Sequence, residues 1–263
     1  MLPIDSKRWN QLQGTYGSTT AHKQIRDFVN FLDDNPPGPE LDKHYREFED
    51  RIYDELSHQQ STWSATTAAM PHLLDIAKRL PVEFRCQLLE SCGIMHFDGA
   101  GLAKDVELVG WYDEAINQAA LDAIAFADSS SLKESEQFQL YCAIATFNER
   151  SFDEQALVFY AFRDYDDMDF ECAHCNTKFL GTLTHNGCEC VFKNSGQQAG
   201  VFLITPSANL SAAVARDGQT MYTLIAQLAI KNCHNAIVRW LEKRLGDFDC
   251  PHCTARSWAV PSS

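Results

Sequence analysis

Cationic side chains are scarce in this chain. Among its 263 residues, 22 Lys and Arg stand against 36 Asp and Glu, a net charge of −14. Nucleic-acid affinity rests on cations that displace counterions, so direct nucleic-acid binding is disfavoured and basic partners are favoured. Long apolar runs are missing as well. A stretch such as Ala199–Ile204 falls far short of the roughly 20 residues needed to span a bilayer. The opening Met1-Leu-Pro-Ile-Asp-Ser-Lys-Arg8 contains no apolar segment of the signal-peptide kind. The expectation is a cytoplasmic protein with no membrane partner.

Catalytic signatures are also missing. The chain contains no P-loop, no G-x-G-x-x-G, no G-x-S-x-G and no H-E-x-x-H. A zinc deaminase needs Pro before its CxxC, whereas Pro251 follows Cys250 here. The expectation is a non-enzymatic protein, with an unrecognised zinc-dependent enzyme as one alternative. Disorder is excluded by composition, because 45% hydrophobic and 11% aromatic residues are enough to build a core.

The charge is unevenly spread. Residues 1–171 hold 31 acidic and 14 basic side chains, a balance of −17; residues 172–263 hold 5 and 8, a balance of +3. Such a break divides the chain into a part at 1–165 and a part at 166–263. The first part shows helical periodicity at about 60–79, 82–94, 109–127, 134–148 and 153–163, between turns rich in Gly, Pro, Ser and Asp. Ser61 or Thr62 is the expected N-cap of one helix, Pro81 opens the next, and Gly93 ends it. Alanine-rich helices joined by short turns predict a mainly α protein of stacked antiparallel helical hairpins, of HEAT-like type. The second part predicts a C-terminal α+β zinc-knuckle module. Thr177–Leu183 and Cys188–Lys193 read as a hairpin around Asn186-Gly187, and 196–205 as a further strand. Helices after Asp217-Gly218 and over Cys233–Leu245 follow, with Gly246 as a C-terminal stop.

Ten cysteines in a reducing compartment point to metal ligation or core packing. Cys172-Ala-His-Cys175 and Cys250-Pro-His-Cys253 are two CxxC knuckles that can supply four thiolates to a structural zinc. Cys188 and Cys190 form a CxC pair that would share one strand face, so they are either further ligands or core. His174, His185 and His252 are possible substitutes. A thioredoxin-like redox role is disfavoured, because such a CxxC begins a helix early in its fold. Asp164, Tyr165, Asp166, Asp167, Asp169 and Glu171 belong to an acidic run at the junction. It reads either as a solvated linker or as a docking strip for a basic partner. His58 with Trp63, and His96 with Asp98, read as packing and turn chemistry in preference to catalysis.

The run Arg51–Ala77, which includes His58-Gln-Gln-Ser-Thr-Trp-Ser-Ala65 and Pro71-His-Leu-Leu74, resembles bacterial HEAT-repeat-like immunity proteins of polymorphic toxin systems. The late Cys250-Pro-His-Cys253 after Leu245-Gly246 is similar to some of them as well. The resemblance implies binding and neutralisation of a cognate secreted toxin, with its active site or substrate cleft covered; the acidity of the chain implies a basic binding surface on that toxin. It carries no inhibitory residue across, because such proteins meet their toxins through variable surfaces. A general helical-repeat scaffold or adaptor is the alternative.

Overall fold

A computed structural model describes residues 1–35, 38–58, 61–97, 105–148, 167–172, 174–184, 187–192, 198–202, 205–206, 221–244 and 246–259. The chain divides into two compact units, Met1–Phe147 and Asn148–Ser263. The expected boundary at 165 and the expected helix at 153–163 lie outside the described residues. No helix among the described residues is long and apolar enough to cross a membrane.

The first unit contains α1 (Ala21–Asp34), α2 (Pro39–Leu56), α3 (Ser64–Arg79), α4 (Val82–Phe97), α5 (Val106–Ser129) and α6 (Glu134–Phe147). Successive helices pair as α1 on α2, α3 on α4 and α5 on α6. Packing between hairpins follows a ladder: α1 meets α3 and α3 meets α5, while α2 meets α4 and α4 meets α6. The odd helices thus form one layer and the even helices the other. This is the stacked-hairpin arrangement that the periodicity predicts.

Small side chains let the layers close. Ala65, Ala68, Ala69 and Ala77 of α3 are all buried, as are residues Leu140–Ala145 of α6. Gly93 does not end α4, as the sequence led us to expect, but lies inside it. A Cβ at Gly93 would collide with Thr146 Oγ1 and sit 3.3 Å from Ala143 Cα. The glycine is present for close approach of α4 to α6, a helix–helix constraint that overrides its poor helix propensity.

The predicted N-cap is displaced too. Ser61-Thr62 form a short strand, β4, antiparallel to β3 at Ser57-His58. Helix α3 begins after Trp63, whose N–H donates to Thr66 Oγ1 at 3.1 Å. The Thr66 hydroxyl in turn donates to the Leu56 carbonyl at 2.6 Å. A tertiary bond back to the end of α2 therefore sets the start of α3.

The segment that precedes α1 runs across the odd-numbered helices, with Trp9 stacked on His22 of α1 and Arg8 paired with Asp105 at the start of α5. Trp9 is fully buried and donates from Nε1 to the Pro3 carbonyl at 3.0 Å. His72 Nε2 bonds to the Leu2 carbonyl at 2.8 Å. Strands β1 (Gln13–Gly14) and β2 (Gly17–Ser18) pair with each other, and Glu55 Oε1 accepts from Thr19 Oγ1 and Thr20 N, both at 2.7 Å. Glu55 thereby satisfies backbone at the start of α1.

The second unit holds a four-stranded antiparallel sheet of β5 (Asp167–Glu171), β6 (Lys178–Thr184), β7 (Gly187–Phe192) and β8 (Gln198–Phe202), in that order. The expected strands over 177–183, 188–193 and 196–205 correspond to β6, β7 and β8. Helices α7 (Met221–Lys231) and α8 (Asn235–Arg244) pack together. Between them Cys233 takes the left-handed backbone at φ 56°, so α8 starts later than the sequence predicts. Strand β9 (Thr205–Pro206), which precedes these helices, forms a sheet with β10 (Gly246–Asp249) and β11 (Arg256–Ala259), which follow them, in the order β11-β10-β9. Gly246 opens a strand and does not merely stop a helix.

Two glycine substitutions test the packing account. Gly93→Ala should destabilise the helical unit by about 1–3 kcal/mol, because the added methyl has nowhere to go. Gly110→Ala, in α5 with nothing within 4 Å of the new methyl, should instead stabilise by about 0.5–1 kcal/mol. Urea unfolding of both variants measures the contrast.

Candidate metal centre

The CxxC knuckles occupy equivalent positions in two hairpins. Strands β5 and β6 pair with Glu171 opposite Lys178, and Cys172 to Thr177 form the turn between them. Strands β10 and β11 pair with Asp249 opposite Arg256, and Cys250 to Ala255 form that turn.

The backbone bonds repeat as well. Asn176 N donates to Cys172 O at 2.8 Å and Cys172 N donates to Thr177 O at 3.0 Å; Thr254 N donates to Cys250 O at 2.8 Å and Cys250 N donates to Ala255 O at 2.9 Å. The residue after each second cysteine is left-handed, Asn176 at φ 54° and Thr254 at φ 60°. Asn tolerates that region well, whereas Thr is β-branched and is strained there. Each turn wraps its backbone so that both sulfurs emerge on one side. Sequence reasoning placed the first knuckle ahead of the β6–β7 hairpin and missed both hairpins that the knuckles themselves close, because β5 lies in the acidic run and β10 and β11 are only four residues long.

The turns bring all four thiols together. Cys172 Sγ lies 3.7 Å from Cys253 Sγ, and Cys175 Sγ lies 3.8 Å from Cys250 Sγ. All four sulfurs fall within 4.8 Å of one another. Four sulfurs placed tetrahedrally about 2.3 Å from a common ion are about 3.8 Å apart. Disulfide sulfurs, by contrast, are about 2.0 Å apart. These four residues could hold a metal ion, and they are the four that the spacing predicts.

Electrostatics favour a cation at their centre. The thiols differ in environment: Cys172 and Cys250 are buried, while Cys175 and Cys253 are partly exposed. Thr177 Oγ1, 3.1 Å from Cys175 Sγ, donates to its thiolate and brings that thiol down to about 6. Burial pushes the Cys250 thiol up to about 12. Four adjacent sulfurs cannot all ionise without an opposing charge, and a metal ion supplies it.

The remaining cysteines separate cleanly by environment. Cys86, Cys92 and Cys142 are buried in the helical unit, and desolvation pushes the Cys86 thiol up to about 12 and raises that of Cys92. They behave as small core side chains. Cys188 and Cys190 occupy β7, at register positions opposite Leu183 and Gly181. His174 Nε2 bonds to the Arg256 carbonyl at 3.1 Å, and His252 meets Phe192 edge-on with ring centroids 5.9 Å apart. Neither histidine belongs to the thiol cluster. His185 lies outside the described residues.

The other predicted positions are dispersed. Asp167, Asp169 and Glu171 belong to β5, which overturns the linker reading for that half of the acidic run. Glu171 pairs with Lys178 Nζ at 3.5 Å; Asp164, Tyr165 and Asp166 lie outside the described residues. His96 is buried, and its Nδ1 lies 2.7 Å from Tyr112 Oη. This places it in the helical core and not in a turn; Asp98 lies outside the described residues. The Arg51–Ala77 run does structural work through Glu55, Thr66 and Ser64, whose Oγ accepts from Gln13 N at 2.8 Å.

No protein-family model, curated protein or solved structure compared with the chain matches it.

Cys172→Ser and Cys250→Ser should each abolish stoichiometric metal binding, while Cys86→Ser should retain it. Metal analysis of the purified variants checks this. Ligation displaces thiol protons, so affinity must fall as the pH drops. Acidification to about pH 4 should release the metal reversibly, read by a chromogenic chelator.

Proposed function

We propose that this chain is a non-catalytic binding protein that captures and neutralises a cognate bacterial toxin through its acidic helical unit. The observation that carries the reading is the two-layer stack of hairpins, rigid and strongly acidic. Residues 1–147 hold 23 acidic and 12 basic side chains, a balance of −11. Such a stack offers a broad surface, and its field speeds the encounter with a basic partner. The resemblance over Arg51–Ala77 points the same way.

A cleft of about 460 Å³ lined by Glu49, Asp50, Tyr53, Asp54, Ser57, Ser91 and Ile94 is the best candidate for the contact. Glu49 Oε1 is held by Tyr45 Oη and Ser91 Oγ, both at 3.0 Å. Asp50 is exposed at the rim. A basic surface covering this cleft would hide its own substrate site, which is the whole inhibitory act; no reaction is required of this chain.

The metal bound by the four cysteines is proposed to be zinc, in a structural role. Zinc favours closed tetrahedral thiolate sites, whereas a catalytic zinc keeps one position for water. The metal would tie the sheet that contains β5 and β6 to the sheet that contains β10 and β11.

Co-expression tests the functional reading. The protein encoded beside this chain should arrest growth when expressed alone, and this chain should restore growth and co-purify with it. Asp50→Lys with Asp54→Lys should slow association by about tenfold at low salt and much less at high salt, measured by stopped flow. An absence of growth arrest, or capture of several unrelated housekeeping proteins in its place, would support the adaptor reading.

A further inference from the structure

A second cavity in the helical unit, of about 260 Å³, lies among α3, α4 and α5. Its wall is mostly apolar, formed by Leu74, Ala77, Leu89, Trp111 and Ala119. One cation in the lining, Arg85, makes no hydrogen bond at its Nε, which is shielded from solvent. Its guanidinium carbon lies 3.9 Å from the centre of the Phe126 ring. The acid nearest in effect, Asp122, is already engaged: Lys78 Nζ is 3.0 Å from one oxygen and Gln118 Nε2 is 2.8 Å from the other. A half-buried guanidinium stacked on an aromatic ring, whose nearest carboxylate is already held by two other groups, is a ready partner for an anion.

The lining limits which anion fits. Asp75, Glu114 and Asp122 also border the cavity, so a multiply charged group such as phosphate would meet repulsion. A single carboxylate attached to an apolar body would satisfy Arg85 and bury its body against Trp111 and Leu74. We infer that this cavity is a binding site for a small organic carboxylate bearing one ring or a short alkyl chain, with Arg85 as the anion's partner. The polar contact would fix orientation, and the apolar wall would supply the affinity.

This site is separate from the acidic cleft and does not depend on toxin binding. The test uses the full metal-loaded chain and phenylacetate as the probe, followed by the Trp111 indole signal in nitrogen-edited NMR. Trp111→Phe assigns that signal. Phenylacetate should shift it with a Kd below about 1 mM. The neutral analogue 2-phenylethanol should bind at least about tenfold more weakly, and Arg85→Gln should bring phenylacetate down to the same level. Arg85→Lys should recover part of the affinity, because it keeps the charge and loses the fork. If 2-phenylethanol binds wild type as well as phenylacetate does, or if phenylacetate leaves the Trp111 signal unmoved up to about 10 mM, the inference is overturned.

Discussion

Four sulfur atoms held within 4.8 Å of one another impose the main constraint on the C-terminal unit. Thiolates at that spacing repel, and thiols gain little from meeting, so the convergence has an energetic reason only when a cation sits among them. Much follows from that constraint. The 74 residues between the knuckles must return the chain to its starting point. Each knuckle must be the turn of a hairpin so that its sulfurs emerge together. Thr254 must also hold the left-handed backbone that Asn176 accepts more easily. The knuckles lie in two different sheets, one of four strands and one of three, and a shared metal ion would tie the two sheets together.

The helical unit is stabilised by a different principle. Its order comes from close approach of helices, with Gly93, the alanines of α3 and the buried cysteines 86, 92 and 142 keeping the layers near each other. Its longer-range bonds are concentrated where the motif run lies. Glu55, Ser64 and Thr66 tie the β1–β2 ribbon, the end of α2 and the start of α3 into one corner. A sequence run used as such a tie transmits a scaffold more readily than a binding surface. In the proposed reading the binding surface is left to exposed acids such as Asp50, which lies outside these ties.

Two of the cavities of the helical unit differ in their lining. One is an acidic cleft whose Glu49 is held by hydroxyls. The other is a mostly apolar groove that holds Arg85 and Lys78 together with Asp75, Glu114 and Asp122. The overall acidity of the chain describes the first and conceals the second, because a net charge averages over groups that never face one another. The charge break also resolves differently once the units are seen: residues 1–147 carry −11, and much of the remaining acid falls within 148–171.

By itself, the sequence determined the elements whose cause is local. Apolar spacing set the stacked helices, because a helix face repeats every 3.6 residues whatever it packs against. Paired CxxC spacing set the four ligands, because two residues is the separation a single turn needs to aim two sulfurs at one point. The tertiary structure alone decided what depends on a partner distant in the chain. Gly93 reads as a stop until Thr146 and Ala143 are placed against it. Ser61-Thr62 read as a cap until Thr66 reaches back to Leu56. Asp167–Glu171 reads as a linker until Lys178–Thr182 pairs with it. In each case the deciding contact is non-local, and the energy that selects it exceeds the local preference it overrides.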